Sequence, residues 1–242
     1  MSPRQSGAPQ VIAHRGASGS LPENTMPSFA LAVEQRADMI EVDLHTTRDG
    51  EVVIRHDAEL EPLGGVGEIG EALFADVRRL DAGGGEVVPT LDEMLDGFSE
   101  AISFNLELKV GASGRYPGME DLAVAAVERR GVLTQTLFSS FYEDVLQALR
   151  ASGEAVRIAV LVSERWPAGM FERATRLGAE AVNPFYGLVD RELVDRAHGE
   201  GVKVYPYTVD DIAEIERLVD LGVDGLFTNY PDQMRSWVDE RF

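Results

Sequence analysis

Short β-type segments alternate with helix-type segments along almost the whole chain, and this alternation constrains the fold more than any other feature. Amphipathic segments follow the β-type ones, such as MEDLAVAAVERR after the third and DDIAEIERLVDLG after the seventh. This succession favours parallel strands joined by crossover helices. The eight β-type segments begin near Val11, Met39, Ile102, Thr136, Val156, Ala181, Lys203 and Gly225.

The number of β-type segments and the chain length together favour a closed barrel. Most steps from one β-type segment to the next span 20–34 residues of the 242, about one βα unit each. We therefore predict an α/β fold of the (β/α)8 TIM-barrel type. A doubly wound open sheet remains an alternative, although such sheets more often have fewer strands. We interpret residues 1–10 as a flexible N-terminal tail and residues 11–242 as one domain.

The interval between the second and third β-type segments is longer than the others. The chain takes 63 residues from Met39 to Ile102, about one unit too many. The excess begins with a predicted hairpin, because Asp49-Gly50 stands between two β-rich arms. A glycine-rich stretch follows, so we predict a small insertion after the second strand, over about residues 58–90, covering one face of the barrel. At its end, Thr90 and Glu93 have the spacing of a helix capping box.

Two predicted strands carry charged residues on the face that would point into the barrel. Glu41 and Asp43 alternate with apolar residues in MIEVDLHTT, and Glu107 and Lys109 do so in ISFNLELKV. If the apolar sets face the helices, the three carboxylates converge. Unpaired buried carboxylates are costly, so the pattern predicts one divalent cation, and oxygen ligands favour Mg²⁺ or Ca²⁺. The alternative is an antiparallel sheet whose polar face lies in water.

The predicted hairpin links a histidine to these carboxylates. With a two-residue turn at Asp49-Gly50, residues paired across the hairpin would have numbers that sum to 99. His56 would then lie opposite Asp43 and on the same face of the sheet. A solvated hairpin histidine is the alternative for His56.

Histidines are scarce, with four in the chain, and two of them are candidates for acid/base catalysis. His14 ends the first predicted strand, at the rim where barrel enzymes carry their active sites. His56 is the second candidate, because an imidazole titrates near neutral pH. We expect His45 to be a surface or supporting residue rather than a catalyst.

Two cationic residues accompany these candidates. Arg15 follows His14 directly, and Lys109 shares the face of Glu107. Cations, imidazoles and a carboxylate-bound metal together suit a phosphate or phosphodiester, since the positive charges would hold the nonbridging oxygens.

The overall composition excludes several classes of protein. The net charge is −20, from 42 acidic and 22 basic residues, so nucleic acids and anionic membrane surfaces are poor partners. No apolar run approaches the ~18 residues of a membrane span, so we predict no stable membrane insertion. The chain has no Cys, which excludes disulfides and zinc–thiolate sites. The first ten residues lack the apolar run of a signal peptide, and we expect a cytoplasmic protein.

The order of the motifs resembles that of the glycerophosphodiester phosphodiesterase family, within the phospholipase-C-like phosphodiesterases. Each motif alone is weak, but the ordered set is specific. The motifs are H-R-G at 14–16, E-N-T at 23–25, E-x-D at 41–43, T-x-D-G at 47–50, H-D at 56–57, P-T-L-x-E at 89–93, N-x-E-x-K at 105–109, S-F at 140–141 and G-V-D-G-x-x-T at 222–228.

The resemblance implies hydrolysis of small-molecule glycerophosphodiesters to sn-glycerol 3-phosphate and an alcohol, on a TIM barrel with one divalent cation. It does not say which histidine is the acid and which the base. Carried over by motif, the implied roles are metal ligands at Glu41, Asp43 and Glu107, acid/base groups at His14 and His56, substrate contacts at Arg15 and Lys109, and supporting residues at Glu23 and Asn24.

Among the departures from the family pattern, one concerns the aromatic wall and one concerns the barrel rim. Tyr207 stands where the family usually has Trp, which retains an aromatic wall that would contact the substrate. Asn229 stands where the family's T-D-x-P motif has Asp, so one carboxylate is lost near the rim.

Two other functions remain alternatives. A phosphodiesterase of the same superfamily could act on lysophospholipids or another phosphodiester, and a noncatalytic protein could use the same site to bind a phosphate ligand. The preferred alcohol, the resident metal and the oligomeric state are left open by the sequence.

Overall fold

The computed structural model describes residues 7–242, so the first six residues of the expected tail lie outside the described part. The strands are β1 Gln10–His14, β2 Met39–Thr46, β3 Val52–Ile54, β4 Asp81–Gly83, β5 Glu86–Val87, β6 Ser103–Leu108, β7 Thr136–Ser140, β8 Arg157–Val162, β9 Ala181–Pro184, β10 Lys203–Val204 and β11 Gly225–Thr228. The α-helices are α1 Met26–Glu34, α2 Phe74–Val77, α3 Leu91–Phe98, α4 Met119–Arg129, α5 Glu143–Ser152, α6 Met170–Leu177, α7 Arg191–Gly199, α8 Ile212–Leu221 and α9 Pro231–Arg241.

Eight of these strands form a parallel barrel. Their order is β10-β9-β8-β7-β6-β2-β1-β11, and every neighbouring pair in this series is parallel. The two ends of the series meet, because Asp224 N donates a hydrogen bond to Val204 O at 3.0 Å and Phe227 N donates one to Pro206 O at 3.0 Å. The predicted (β/α)8 barrel is therefore confirmed, and the open doubly wound sheet is excluded.

The alternation of residues along β2 and β6 decides what lies inside the barrel. Their apolar residues, such as Val42 and Leu106, are fully buried against the surrounding helices. Inside the barrel, an apolar layer that includes Ile12 and Met39 lies towards the N-terminal ends of the strands. Because side chains alternate along a strand, Glu41 lies on the same face as Met39 and above it. The carboxylates consequently lie at the C-terminal end of the barrel.

The segment predicted as an insertion packs around a small core of its own. It contains two short 3-10 turns, helix α2 and the β4–β5 hairpin. The core consists of Val53, Leu60, Ile69, Val77 and Val88. The predicted capping box ends the segment.

The capping box joins the insertion to helix α3. Thr90 Oγ1 accepts a hydrogen bond from Glu93 N at 3.1 Å, and Glu93 Oε2 accepts one from Thr90 N at 2.9 Å. Glu93 also pairs with Arg78 of the insertion at 2.6 Å. The spacing in the sequence therefore predicted this helix start correctly.

The register of the β2–β3 hairpin differs from the prediction. Leu44 pairs with Ile54 and Thr46 with Val52, so paired numbers sum to 98 and not to 99. The turn has three residues, 48–50, closed by a hydrogen bond from Gly50 N to Thr47 O, with Gly50 at φ +91°. A three-residue loop with a left-handed glycine is a common hairpin connection, and its extra residue shifts the register by one.

Candidate active site

Three carboxylates from two neighbouring strands meet at the C-terminal end of the barrel. Asp43 of β2 is the register partner of Glu107 of β6, and Glu41 is the partner of Asn105. Glu41, Asp43 and Glu107 are all buried, and one carboxylate oxygen of each lies within 4.8 Å of the others. The convergence expected from the alternation of β2 and β6 is therefore present in the fold.

Two cations lie against these carboxylates. Lys109 Nζ is 3.0 Å from Asp43 Oδ1 and 2.5 Å from Glu107 Oε1. Arg15 Nε is 3.2 Å from Asp43 Oδ2, and Arg15 Nη1 donates a hydrogen bond to Glu23 Oε2 at 2.9 Å. Burial tends to raise the pKa of Asp43, but Lys109 and Arg15 outweigh it and hold the pKa well below its usual value. Asp43 is thus the anionic centre of the cluster.

The other two carboxyl groups resist ionisation. Burial, together with the neighbouring Asp43 and Glu107, raises the pKa of Glu41 well above its usual value. Burial also raises the pKa of Glu107 to about 6, although Lys109 opposes this shift. Three carboxyl groups face two cations, so ionisation of all three would leave one negative charge without a partner. A hard divalent cation fits this set of buried oxygens, because it would favour the ionised form of all three groups.

The loop after β1 adopts a conformation that is uncommon for residues other than glycine. Arg15 and Asn24 have φ values of 58° and 55°. Hydrogen bonds to the carboxylates hold both residues: Arg15 N donates to Glu41 Oε2 at 3.0 Å, and Asn24 Nδ2 donates to Asp43 Oδ2 at 2.8 Å. Asn24 N also donates to Arg15 O at 3.0 Å. Local backbone strain of this kind persists where surrounding contacts over-determine it.

The two candidate histidines line the same cavity as Glu41 and Glu107. His14 Nε2 is 4.0 Å from Glu41 Oε2, and burial and the charge of Arg15 lower the pKa of His14 to about 4. His56 follows the end of β3, and its Nδ1 is 2.7 Å from Asp57 Oδ1. Burial and the charge of Lys109 lower the pKa of His56.

His56 does not lie opposite Asp43 in the β2–β3 hairpin, as the predicted register required. Arg55 N donates a hydrogen bond to Asp43 O at 2.9 Å, so Arg55 lies opposite Asp43. His56 nevertheless lines the same cavity as Glu41, Glu107 and Lys109, because it lies just beyond the hairpin, where the pairing has ended. The predicted opposition of Asp43 and His56 was wrong, whereas the predicted proximity of His56 to the carboxylates is present.

Two adjoining cavities open at this rim. The first, of about 180 Å³, is lined by both imidazoles, Arg15 and Lys109, with Tyr207 on its wall. Tyr207 Oη donates a hydrogen bond to Val162 O at 3.1 Å, which orients the ring. The second cavity, of about 330 Å³, shares His56, Glu107 and Lys109 with the first. Together they offer space for a small molecule beside the charged groups.

Some functional contacts could not be predicted from the sequence. His45 is 1% exposed, so of its two expected roles the surface one was wrong and the supporting one agrees with its contacts. Its Nδ1 lies 2.7 Å from Tyr116 Oη and its Nε2 lies 3.1 Å from His56 O, so His45 anchors the backbone at His56. Asn229 contacts His14, with Asn229 Oδ1 2.8 Å from His14 Nδ1. The only signal for Asn229 was its departure from the motif pattern.

A (β/α)8 barrel with carboxylates, cations and imidazoles at its C-terminal rim has the architecture of the phospholipase-C-like phosphodiesterases. The profile of the glycerophosphoryl diester phosphodiesterase family matches residues 14–233 of the chain. The chain therefore belongs to the glycerophosphoryl diester phosphodiesterase family, as the ordered motifs predicted.

Individual relatives resemble the chain over most of its length. A glycerophosphodiester phosphodiesterase of Bacillus subtilis is 33% identical, and the match covers 92% of this chain and 84% of the relative. One from Caldanaerobacter subterraneus is also 33% identical, with 93% and 95% covered. The structure of an Oleispira antarctica phosphodiesterase, in complex with the product sn-glycerol-3-phosphate, superimposes with a TM-score of 0.83 at 33% identity, and covers 96% of this chain and 97% of that one.

Among the described residues 7–242, the helices are too short or too polar to cross a bilayer.

Proposed function

We propose that this protein hydrolyses glycerophosphodiesters to sn-glycerol 3-phosphate and an alcohol, with residues 11–242 as its catalytic domain. The observation that carries the proposal is one small cavity lined by two imidazoles, two cations and two members, Glu41 and Glu107, of a buried carboxylate triad. Sequence identity of 33% to glycerophosphodiester phosphodiesterases over nearly the whole chain supports the same reaction.

Glu41, Asp43 and Glu107 are the proposed ligands of one Mg²⁺ or Ca²⁺. Their oxygens lie within 4.8 Å of one another and provide hard ligands only. A bound cation would supply positive charge close to a nonbridging phosphate oxygen. Asn24 supports the triad by its hydrogen bond to Asp43, and Glu23 supports the site by its ion pair with Arg15.

Arg15 and Lys109 are the proposed phosphate contacts. Both charges are already held at the rim by Asp43, so little reorganisation is needed when an anionic substrate enters. Tyr207, on the cavity wall, contacts the organic part of the substrate in this proposal.

His14 and His56 are the proposed proton carriers. In the net reaction, an oxygen of water becomes bonded to phosphorus, the bond from phosphorus to the alcohol oxygen breaks, and that oxygen gains a proton. One imidazole takes the proton of the attacking oxygen while the other donates a proton to the leaving oxygen. Both pKa values are lowered in the free protein, and a bound phosphodiester anion favours the imidazolium form of the donor.

The test is product analysis over several phosphodiesters. Purified protein is incubated with glycerophosphocholine, glycerophosphoethanolamine, glycerophosphoglycerol and a lysophosphatidylcholine, with Mg²⁺, Ca²⁺ or EDTA. Release of sn-glycerol 3-phosphate that stops with EDTA and returns with added cation is the expected result. Turnover of the lysophospholipid alone would favour the superfamily alternative, and tight binding without turnover would favour a noncatalytic protein.

Substitution of each imidazole tests the proposed proton carriers. His14→Ala and His56→Ala are each expected to lower kcat by about 10²–10⁴-fold, the usual contribution of a general acid or base. His198→Ala is the matched control, because His198 is at the end of α7 and contacts Asp224, on a different part of the barrel. Retained turnover after substitution of His14 or His56 would remove that residue from the mechanism.

A further inference from the structure

A chain of hydrogen bonds leads from His14 to a carboxylate outside the active-site cavity. His14 is the last residue of β1, Asn229 directly follows β11, and Asp210 lies in the segment between β10 and α8. Asn229 Oδ1 lies 2.8 Å from His14 Nδ1, and Asn229 Nδ2 donates a hydrogen bond to Asp210 Oδ2 at 2.7 Å. None of the roles proposed above uses Asn229 or Asp210.

The contacts of Asp210 determine which way the Asn229 amide faces. Asp210 Oδ1 accepts hydrogen bonds from Asn229 N and from Thr228 Oγ1, both at 2.8 Å. A carboxylate accepts hydrogen bonds and does not donate them, so the amide NH2 of Asn229 must face Asp210. The carbonyl oxygen of Asn229 must therefore face His14.

The orientation of Asn229 in turn determines the tautomer of His14. A carbonyl oxygen can only accept, so His14 Nδ1 must carry a proton in order to bond to it. In a neutral imidazole, the other nitrogen is then an unprotonated acceptor. That nitrogen is Nε2, which faces the carboxylate cluster at 4.0 Å from Glu41 Oε2.

The backbone of His14 is held by the same group of residues. Ser18 Oγ lies 2.7 Å from His14 O and 2.9 Å from Asn229 Oδ1. Ser18 has a single hydroxyl proton and can donate to only one of these acceptors at a time, so the ring of His14 is held mainly by Asn229 and its main-chain carbonyl by Ser18.

We propose that Asn229, oriented by Asp210, is a positioning residue that holds the neutral His14 ring with its proton on Nδ1 and its Nε2 lone pair towards the reaction centre. The consequence for catalysis rests on the proposed function, whereas the tautomer itself does not. Neither Asn229 nor Asp210 touches the reacting atoms in this arrangement, so both act through His14.

Two nearly isosteric substitutions test whether Asp210 orients the Asn229 amide and thereby determines the tautomer of His14. In Asp210→Asn, the new amide presents an NH2 group to the NH2 group of Asn229. Two donors cannot bond, so the Asn229 amide rotates and presents its own NH2 group to His14. The proton of His14 then moves to Nε2, and the lone pair that faced the reaction centre is lost.

Adding Asn229→Asp to Asp210→Asn is expected to reverse this effect. The new carboxylate at position 229 accepts hydrogen bonds both from the amide at position 210 and from His14 Nδ1. Asn229→Asp alone places two carboxylates in contact, which is unfavourable. The two single variants are thus each impaired, and their combination recovers function through direct coupling.

The kinetic experiment compares these variants in the full chain with added Mg²⁺. Asp210→Asn is expected to lower kcat by about 100-fold, within the usual range for misplacing a general acid or base, with little change in KM. The double variant is expected to recover most of that loss. The control is Asp211→Asn, because Asp211 caps helix α8 through Ala213 N and Glu214 N, and Asn is an equally good cap.

The spectroscopic experiment does not depend on turnover. In protein labelled with 15N-histidine, the protonated and unprotonated ring nitrogens differ in 15N shift, and the couplings to the ring protons identify each nitrogen. The chain has four histidines, and loss of a signal in His14→Gln assigns His14. The wild type and the double variant are expected to carry the proton on Nδ1, and Asp210→Asn is expected to carry it on Nε2.

The outcomes separate this proposal from the proposed function. A wild-type His14 protonated on Nε2 overturns the proposal, as does unchanged kcat in Asp210→Asn or loss of kcat that the second substitution leaves unrepaired. A chain that shows the expected tautomers but hydrolyses none of the phosphodiesters retains the positioning network and loses the proposed function. If Asp210→Asn does not fold, the wild-type spectrum alone still decides the tautomer.

Discussion

Substitution of Glu107 by Gln should make the metal-free protein more stable, although it removes a proposed metal ligand. Burial raises the pKa of Glu107 from 4.5 to about 6 in the folded protein. This difference corresponds to about 2 kcal/mol of unfavourable free energy when the group is ionised in the fold. Gln retains an oxygen that can accept a hydrogen bond from Lys109, so the main change is removal of a buried charge.

The pKa of Glu107 is higher in the folded than in the unfolded chain, and this difference decides at which pH Glu107→Gln is the more stable protein. Below pH 4.5, Glu107 is protonated in both the folded and the unfolded chain, and its full contribution to stability is present. As the pH rises through about 6, the unfolded chain has already lost this proton and the folded chain follows, so the contribution is lost. Glu107→Gln should therefore exceed the wild type by about 2 kcal/mol above pH 6 and by little below pH 4.5.

Urea unfolding followed by far-UV circular dichroism, in EDTA between pH 4 and 8, measures this difference. Glu154→Gln is the matched control, because Glu154 is exposed and its removal should leave the free energy of unfolding unchanged at every pH. Equal or lower stability of Glu107→Gln at pH 8 would refute the argument that burial of this carboxyl destabilises the metal-free fold.

Added cation should reverse the ranking. A ligand at 100 times its Kd stabilises the folded state by about 2.7 kcal/mol, and the wild type should gain this amount from saturating Mg²⁺ or Ca²⁺. Glu107→Gln lacks one of the three carboxylates and should gain much less. Equal stabilisation of the two proteins would show that the cation binds elsewhere.

Two further predictions concern the scaffold. Glu180 pairs with Arg157 and Lys203, and its hydrogen bond to Arg157 lowers its pKa from 4.5 to about 2. The Glu180 side chain is 29% exposed, so after allowance for solvent screening Glu180→Gln should cost about 1–2 kcal/mol at pH 7. In urea unfolding this cost should decline as the pH falls from 4.5 towards 2, and a constant cost would contradict the ion-pair explanation. Thr90→Ala should cost about 1 kcal/mol through loss of the cap on Glu93 N, whereas Thr90→Ser should cost little; equal losses would show that the hydroxyl does not matter.

Much of the barrel and the triad could be predicted because both depend on local periodicity. The eight β-type segments start within one residue of the observed strands. The period of two along β2 placed Glu41 and Asp43 on one face, and the same rule applied to Glu107 on β6. Parallel pairing of β2 with β6 then brings the three carboxylates together, as the observed register shows.

The hairpin register was predicted wrongly and the contacts of His45 were not predicted, because both depend on turn geometry or on residues distant in the sequence. One additional residue in the turn at Gly50 moved the hairpin register by one, so His56 reaches the cavity from beyond the strand and not from within it. His45 is buried and contacts Tyr116, which lies 71 positions away, so a local pattern does not predict this contact.

The sequence by itself determined which side chains enter the barrel, because the alternation of a strand assigns each residue to a face before any tertiary contact forms. Only the tertiary structure decided how those side chains are oriented. His14 and Asn229 are 215 positions apart and meet because closure of the barrel makes the first strand a neighbour of the last. Hydrogen bonds are directional and short, so their partners depend on this closure and not on sequence spacing.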